Sequence, residues 1–288
     1  MKRWSLAALA LLASLSLAPY AVSGVVSDRI YPAPKTPLTI DGLPLSASFV
    51  DVTTVDGLVL RGILVPAKPD RPLLLVFHGN ASSSADTVRW FAPLIGQGYG
   101  VLAAEYRGYS GLPGKPSEPG LERDADAFAA RARAEAKGAP LWLVGHSLGG
   151  GAALNLAVRQ RFDTIVTVGT FTRIRAMAPG VARALLPNAY RNENNVPRLS
   201  DPYILIHGTA DEVVPADMGN ALHTAATKTN RVGASVVMIG EGHQPDARKL
   251  LAAFEAVRDW RATGKWSTAK LPGDVKLVPF GATKPLNP

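Results

Sequence analysis

Short, nearly unbroken apolar runs recur through the middle of this chain, and they limit its fold more than any other feature. Residues 73–77, 101–105, 141–144, 164–168, 203–206 and 235–239 are each of strand length and lack polar alternation. Such runs read as strands covered on both faces. Helical stretches at 85–96, 122–137, 148–161, 215–227 and 245–262 separate them. The alternation predicts an α/β fold, a mostly parallel central sheet with helices on both faces. Ahead of it, 49–54 and 58–65 flank Asp56-Gly57 and predict an antiparallel hairpin that opens the sheet.

Composition narrows the chemistry. The chain has 288 residues, 47% hydrophobic and 19% charged, so it can bury a core without metal or disulfide support. Cysteine is absent, which excludes disulfide frameworks, thiolate zinc sites, iron–sulfur clusters and cysteine nucleophiles. A net charge of +8 draws a protein toward anionic membranes, polyanionic envelopes or nucleic acid. No basic helix, zinc-finger spacing or RNP-type aromatic strand is present, so nucleic acid is not an expected partner. Peripheral contact with an anionic membrane or envelope stays open, and the oligomeric state is not legible.

The chain divides into four stretches. Residues 1–23 carry a basic Met1-Lys2-Arg3 start, an Ala/Leu core and the small residues Ala21-Val22-Ser23, the pattern of a secretory signal. An uncleaved N-terminal anchor is the alternative; either way the folded part is expected to be exported, periplasmic or secreted. Residues 24–46 read as a Pro-rich lead-in and 47–262 as the folded domain. Residues 263–288 read as a loosely attached basic, Pro-rich tail.

The chemistry centres on Gly145-His146-Ser147-Leu148-Gly149, which follows one apolar strand and opens a helix. Alone the pentapeptide is weak evidence; its strand–turn–helix setting gives it specificity. A serine exposed on a sharp turn leaves no room for side chains two residues away, so glycines flank it. A serine hydroxyl is a poor nucleophile unaided and needs a base and an orienting acid, in the chain order Ser, Asp or Glu, His. Asp211 and His243 follow later strands in that order. Glu212 and Asp217 compete less well for the acid, and Asp246 suits the first turn of a helix. The backbone N–H groups of Asn80, in His78-Gly79-Asn80-Ala81, and of Leu148 are the expected oxyanion donors. Tyr106 and Tyr109 could line the substrate pocket or pack a loop. His78, His146, His207 and His223 read as structural, and Asp124 and Asp126 as a solvated helix face.

These pieces resemble the α/β-hydrolase superfamily, most closely its BEM46-like and ABHD17-like branch. The resemblance rests on His78-Gly79-Asn80-Ala81, Glu105-Tyr106-Arg107-Gly108-Tyr109-Ser110-Gly111, Gly145-His146-Ser147-Leu148-Gly149-Gly150, Phe171-Thr172 and His207-Gly208-Thr209-Ala210-Asp211-Glu212-Val213-Val214-Pro215. It spans about residues 47–262. It implies nucleophile Ser147, acid Asp211, base His243 and oxyanion groups on Asn80 and Leu148. Two features depart from it: Glu105 stands where the family usually has Asp or Asn, and the tail is unmatched.

Residues 170–200 occupy the position of that superfamily's lid, and their shortness predicts an open site. Arg173, Arg175, Arg183, Arg191 and Arg198 against Glu193 suggest either a rim for anionic substrates or ordinary surface. The expected function is hydrolysis of a carboxylic ester or thioester of a small or lipid-like substrate, with no metal or organic cofactor. A peptidase or amidase using the same residues, or a non-catalytic envelope-binding protein on this scaffold, are the alternatives.

Overall fold

The computed structural model describes residues 30–177, 189–229 and 231–281. The expected targeting segment at 1–23, residues 178–188 of the lid and the last tail residues lie outside them. Among the described residues no helix is long and apolar enough to cross a membrane.

A nine-stranded sheet runs in the order β1-β2-β4-β3-β5-β6-β7-β8-β9. Its strands are β1 (Ser48–Thr53), β2 (Val59–Val65), β3 (Leu73–Phe77), β4 (Gly100–Ala104), β5 (Leu141–His146), β6 (Thr164–Val168), β7 (Tyr203–Gly208), β8 (Gly233–Met238) and β9 (Val275–Phe280). β1 and β2 form the expected hairpin, and β2 joins β4 antiparallel. From β4 through β8 every pairing is parallel. β3, β4 and β6 are buried along their whole length, as their continuous apolar runs require.

Helices cover both faces. α1 (Ser84–Trp90), α2 (Ala92–Gly96) and α7 (Ala247–Thr263) pack on one, through Val88, Phe91, Leu94, Leu250, Phe254 and Trp260. α3 (Glu118–Ala136), α4 (Leu148–Ala157) and α6 (Ala216–Lys228) pack on the other, through Leu121, Phe128, Leu154, Leu156 and Leu222. A short helix, α5 (Asn192–Asn195), lies in the last part of the lid stretch. The single helix expected over 85–96 is two, parted at Phe91, because Pro93 opens a new first turn. α3 starts at Glu118, four residues before the expected start, where Ser117 caps it by accepting from the Gly120 N–H at 3.2 Å.

The tail differs from its expectation. Residues 275–280 add β9 antiparallel to β8, with Val275 and Phe280 buried. The approach to it is fastened by Trp266 stacked on Trp260 (centroids 4.2 Å apart) and by Lys249 bridging Glu241 and Asp274. The sheet therefore continues well past residue 262. The lead-in is anchored too: Ile30 and Tyr31 are buried in the core.

Asp124 also departs from expectation. It is not on a solvated face but fully buried, accepting from the Arg107 backbone N–H and pairing with its guanidinium at 2.7 Å. Arg107 reaches on to Asp56 in the β1–β2 turn. Burial raises the Asp124 carboxyl above the usual range even against this cation. Asp126, by contrast, makes a surface pair with Arg159.

Candidate active site

Ser147 sits between β5 and α4 with φ +53° and ψ −117°, a left-handed backbone that costs a non-glycine residue about 1–3 kcal/mol. Its neighbours make the strain tolerable. A methyl on Gly145 would overlap the Gly149 carbonyl, and one on Gly149 would overlap the Phe77 carbonyl. Glycine at both places lets the turn fold this tightly against β3. The Ser147 N–H donates to the Val168 carbonyl at 2.9 Å, tying the turn to the end of β6.

His243 and Asp211, expected as base and acid, are in contact. His243 Nδ1 lies 2.9 Å from Asp211 Oδ2 and 3.1 Å from Oδ1. Asp211 is buried, and its Oδ1 accepts from the N–H groups of Val213 and Val214 at 2.9 and 2.8 Å. The carboxylate is thereby fixed in orientation before it meets the imidazole. Glu212 plays no part in this pairing, and Asp246 caps α7 by accepting from the Arg248 and Lys249 N–H groups.

Gly169 brings this pair to the serine. It directly follows Val168, with φ +54°, and a methyl on it would lie 3.1 Å from His243 Nδ1 and 3.2 Å from Asp211 Oδ2. His146, the residue before the nucleophile, donates from Nε2 to the His243 carbonyl at 2.9 Å, and the two rings lie 4.8 Å apart. Trp90 packs on His146 and donates from Nε1 to the Pro245 carbonyl at 3.0 Å. Burial, aided by His243, lowers the His146 pKa to about 4, so its ring stays neutral and serves as a strut. Ser147 Oγ itself makes no hydrogen bond among the described residues; Ser147 is 9% exposed.

The loop expected to supply an oxyanion donor is adjacent. A methyl on Gly79 would lie 3.2 Å from Ser147 Cβ, so this loop borders Ser147 at Gly79. The Asn80 and Leu148 N–H groups have no acceptor among the loop and cap bonds of the described residues. Leu148 opens α4, where the helix dipole adds its positive end. Tyr106 and Tyr109 pack against the loop at 78–80, the second of the two roles expected for them. Both are fully buried, and their hydroxyls are spent on the His78 carbonyl at 2.7 Å and Asn80 Oδ1 at 3.1 Å. The remaining histidines make contacts within the scaffold: His78 meets Glu105, His207 donates to the Val214 carbonyl, and His223 bonds Ser235.

The arginines of 170–200 are partly committed. Arg173 pairs with Glu193 at 2.6 Å, and the Arg191 guanidinium lies against the Asn194 side-chain amide; Arg183 lies outside the described residues. Among the described residues no group of three or more His, Asp or Glu side chains is placed to hold a metal ion. Gly169, Trp90 and Glu105 were not singled out for the site from sequence. Only Gly169, a glycine closing a buried strand, carried any signal of a close approach.

Comparison with known proteins places this geometry. A family model described as serine aminopeptidase, S33, matches residues 68–192. The chain is 33% identical over 218 residues to the uncharacterized protein Rv2307c of Mycobacterium tuberculosis, covering 71% of this chain and 76% of that one. It is 31% identical to the lysophosphatidylserine lipase ABHD12 of Xenopus tropicalis, over 54% of this chain and 47% of that protein. Among solved structures, a puromycin-hydrolyzing peptidase of M. tuberculosis superposes with a TM-score of 0.61 at 18% identity, over 81% of this chain and 42% of that one. At that identity the likeness speaks to fold alone. Sheet order, elbow and relatives agree: the chain belongs to the α/β-hydrolase superfamily and is a hydrolase of that fold.

Proposed function

We propose that this protein is a serine hydrolase that cleaves carboxylic ester or thioester bonds of small or lipid-like substrates through an acyl-enzyme on Ser147. The observation that carries the reading is the His243–Asp211 pair brought against the strained Ser147 turn at one sheet edge. With Nδ1 committed to Asp211, Nε2 is the imidazole nitrogen left to take the serine proton. The Ser147–imidazole contact closes when substrate binds, as is common for apo sites. Ser147 Oγ then bonds to the acyl carbon, and the carbonyl oxygen takes the negative charge between the Asn80 and Leu148 N–H groups. Loss of one such donor typically costs about 3–4 kcal/mol of transition-state stabilisation. Collapse expels the alcohol or thiol, which leaves with the proton from His243. A water, deprotonated by the same imidazole, releases the acid and restores Ser147.

The lipid-like substrate class draws support from the lipase name carried by ABHD12. A second reading, hydrolysis of amide bonds on the same residues, draws support from the aminopeptidase description of the family model. We place the folded domain outside the cytoplasm, on the signal-like residues 1–23. N-terminal sequencing of the protein recovered from periplasm or medium tests that placement.

The deciding experiment is fluorophosphonate labelling of wild type and Ser147→Ala at neutral pH. Kinetics follow on p-nitrophenyl esters of graded chain length, a thioester and a p-nitroanilide. Labelling and ester turnover that vanish in Ser147→Ala are expected. Labelling that persists in the variant, or none in wild type, refutes the reading and favours a binding protein. Faster anilide than ester turnover would select the amidase.

A further inference from the structure

The loop between β3 and α1 is gripped more firmly than a surface turn requires, and the grip comes from a residue with no part in the proposed chemistry. Glu105, just past β4, is fully buried. Its Oε1 lies 2.9 Å from His78 Nε2, at the start of the loop. Its Oε2 accepts from the Ser84 N–H at 2.8 Å and the Ser84 hydroxyl at 3.0 Å, at the loop's end. One carboxylate thus closes both ends of the stretch that carries the Asn80 N–H.

The residues next to Glu105 hold the middle. Tyr106 donates to the His78 carbonyl, and Tyr109 donates to Asn80 Oδ1. Asn80 Nδ2 in turn donates to the Ile30 carbonyl of the lead-in at 2.6 Å. The lead-in is itself fastened to the segment after β4: the Ser110 N–H donates to the Pro34 carbonyl, and Lys35 Nζ to the Gly108 carbonyl. Ala81, at φ +55°, sits in a left-handed conformation that costs a non-glycine residue about 1–3 kcal/mol unless its surroundings impose it. A buried carboxylate is retained only where donors satisfy it, and here each oxygen is engaged.

We propose that Glu105 is a positioning residue for the hydrolytic reaction, holding residues 78–84 so that the Asn80 N–H is aimed before the oxyanion forms. This rests on the Ser147 reading above. The role depends on reach rather than charge. Toward the carboxylate, His78 donates from Nε2; in Glu105→Gln the ring can instead keep its proton on Nδ1, donating to the Gly79 carbonyl and leaving Nε2 to accept. Glutamine therefore keeps both ties, its oxygen accepting from Ser84 and its amide donating to His78. Aspartate, shorter by about 1.5 Å, reaches only one end of the loop.

The test compares wild type, Glu105→Gln and Glu105→Asp by ester kinetics and by hydrogen–deuterium exchange of residues 78–84. Strand β5 serves as the exchange reference. Glu105→Asp is expected to lower kcat about 10- to 100-fold, the loss a misplacement near 1 Å brings, with KM within about threefold. Its loop amides exchange faster while β5 is unchanged. Glu105→Gln stays within about threefold of wild type in kcat and exchange. Unchanged loop exchange in Glu105→Asp overturns the proposal even if no ester is turned over, and Ser147→Ala labelling reports separately on the reading beneath it. A Glu105→Gln loss as large as that of Glu105→Asp also overturns it, since charge would then be the cause. So does a loss confined to KM or to melting temperature.

Discussion

Replacing Gly169 by alanine isolates the contact that seats His243 and Asp211 against the nucleophile turn. Two costs are expected. The backbone is left-handed, φ +54°, which disfavours alanine by about 1–2 kcal/mol. The new methyl would also lie 3.1 Å from His243 Nδ1 and 3.2 Å from Asp211 Oδ2, inside ordinary contact, so the pair must yield by a few tenths of an ångström. Gly264 supplies the control: its φ is +70°, and a methyl there meets nothing within 4 Å. Gly264→Ala should therefore lose the same ~1–2 kcal/mol, roughly 2–6 °C in melting temperature for a domain of this size, with kcat unchanged. Gly169→Ala should lose at least as much stability and also about 3- to 10-fold in kcat, scaling from roughly 100-fold per ångström of misplacement. Calorimetry and p-nitrophenyl ester kinetics on both variants read the two effects apart. If Gly169→Ala matched Gly264→Ala in kcat within twofold, Gly169 would not be the seat of the pair, and the site geometry argued here would fail.

Further outcomes follow from the buried groups. The folded His146 pKa of about 4 lies below the ordinary histidine value of 6.5, so above pH 6.5 both folded and unfolded rings are neutral and the full stability is present. As pH falls from 6.5 to 4 the unfolded chain takes up a proton that the folded one refuses, removing up to about 2.5 kcal/mol by pH 4.5. Urea titrations at pH 7 and 4.5 should show that loss reduced in His146→Gln; equal acid loss in both proteins would rule the strut out as its source. Arg107→Met leaves the Asp124 carboxylate buried without its cation and should cost about 3–5 kcal/mol in urea midpoint analysis. Arg107→Met with Asp124→Leu should recover much of it, and no recovery would mean the pair is not the cause.

The parallel strands were legible because burial on both faces leaves an uninterrupted apolar signature, and the nucleophile turn because steric crowding forces glycines at Gly145 and Gly149. Chain order singled out Asp211 and His243 as candidates, and the two side chains do bond. What escaped notice depends on partners distant in sequence. Asp124 looks like any helix-surface acid until Arg107, 17 positions earlier, folds over it. Tyr106 and Tyr109 look like pocket linings until the loop they serve covers them. The early start of α3 was readable in Ser117-Glu118-Pro119, a cap followed by a proline in the first turn. β9 was harder, because Lys276 and Pro279 interrupt a six-residue run.

Those same two residues bear on how the molecule behaves in a crowd. Among the described residues β9 is the outermost strand on its side, and the margin of a sheet invites pairing by any stray backbone. Pro279 offers no N–H to such a visitor, and exposed Lys276 sets a charge beside it. On that side the sheet thus ends, among the described residues, in a border whose proline and lysine disfavour extension by another copy's strand.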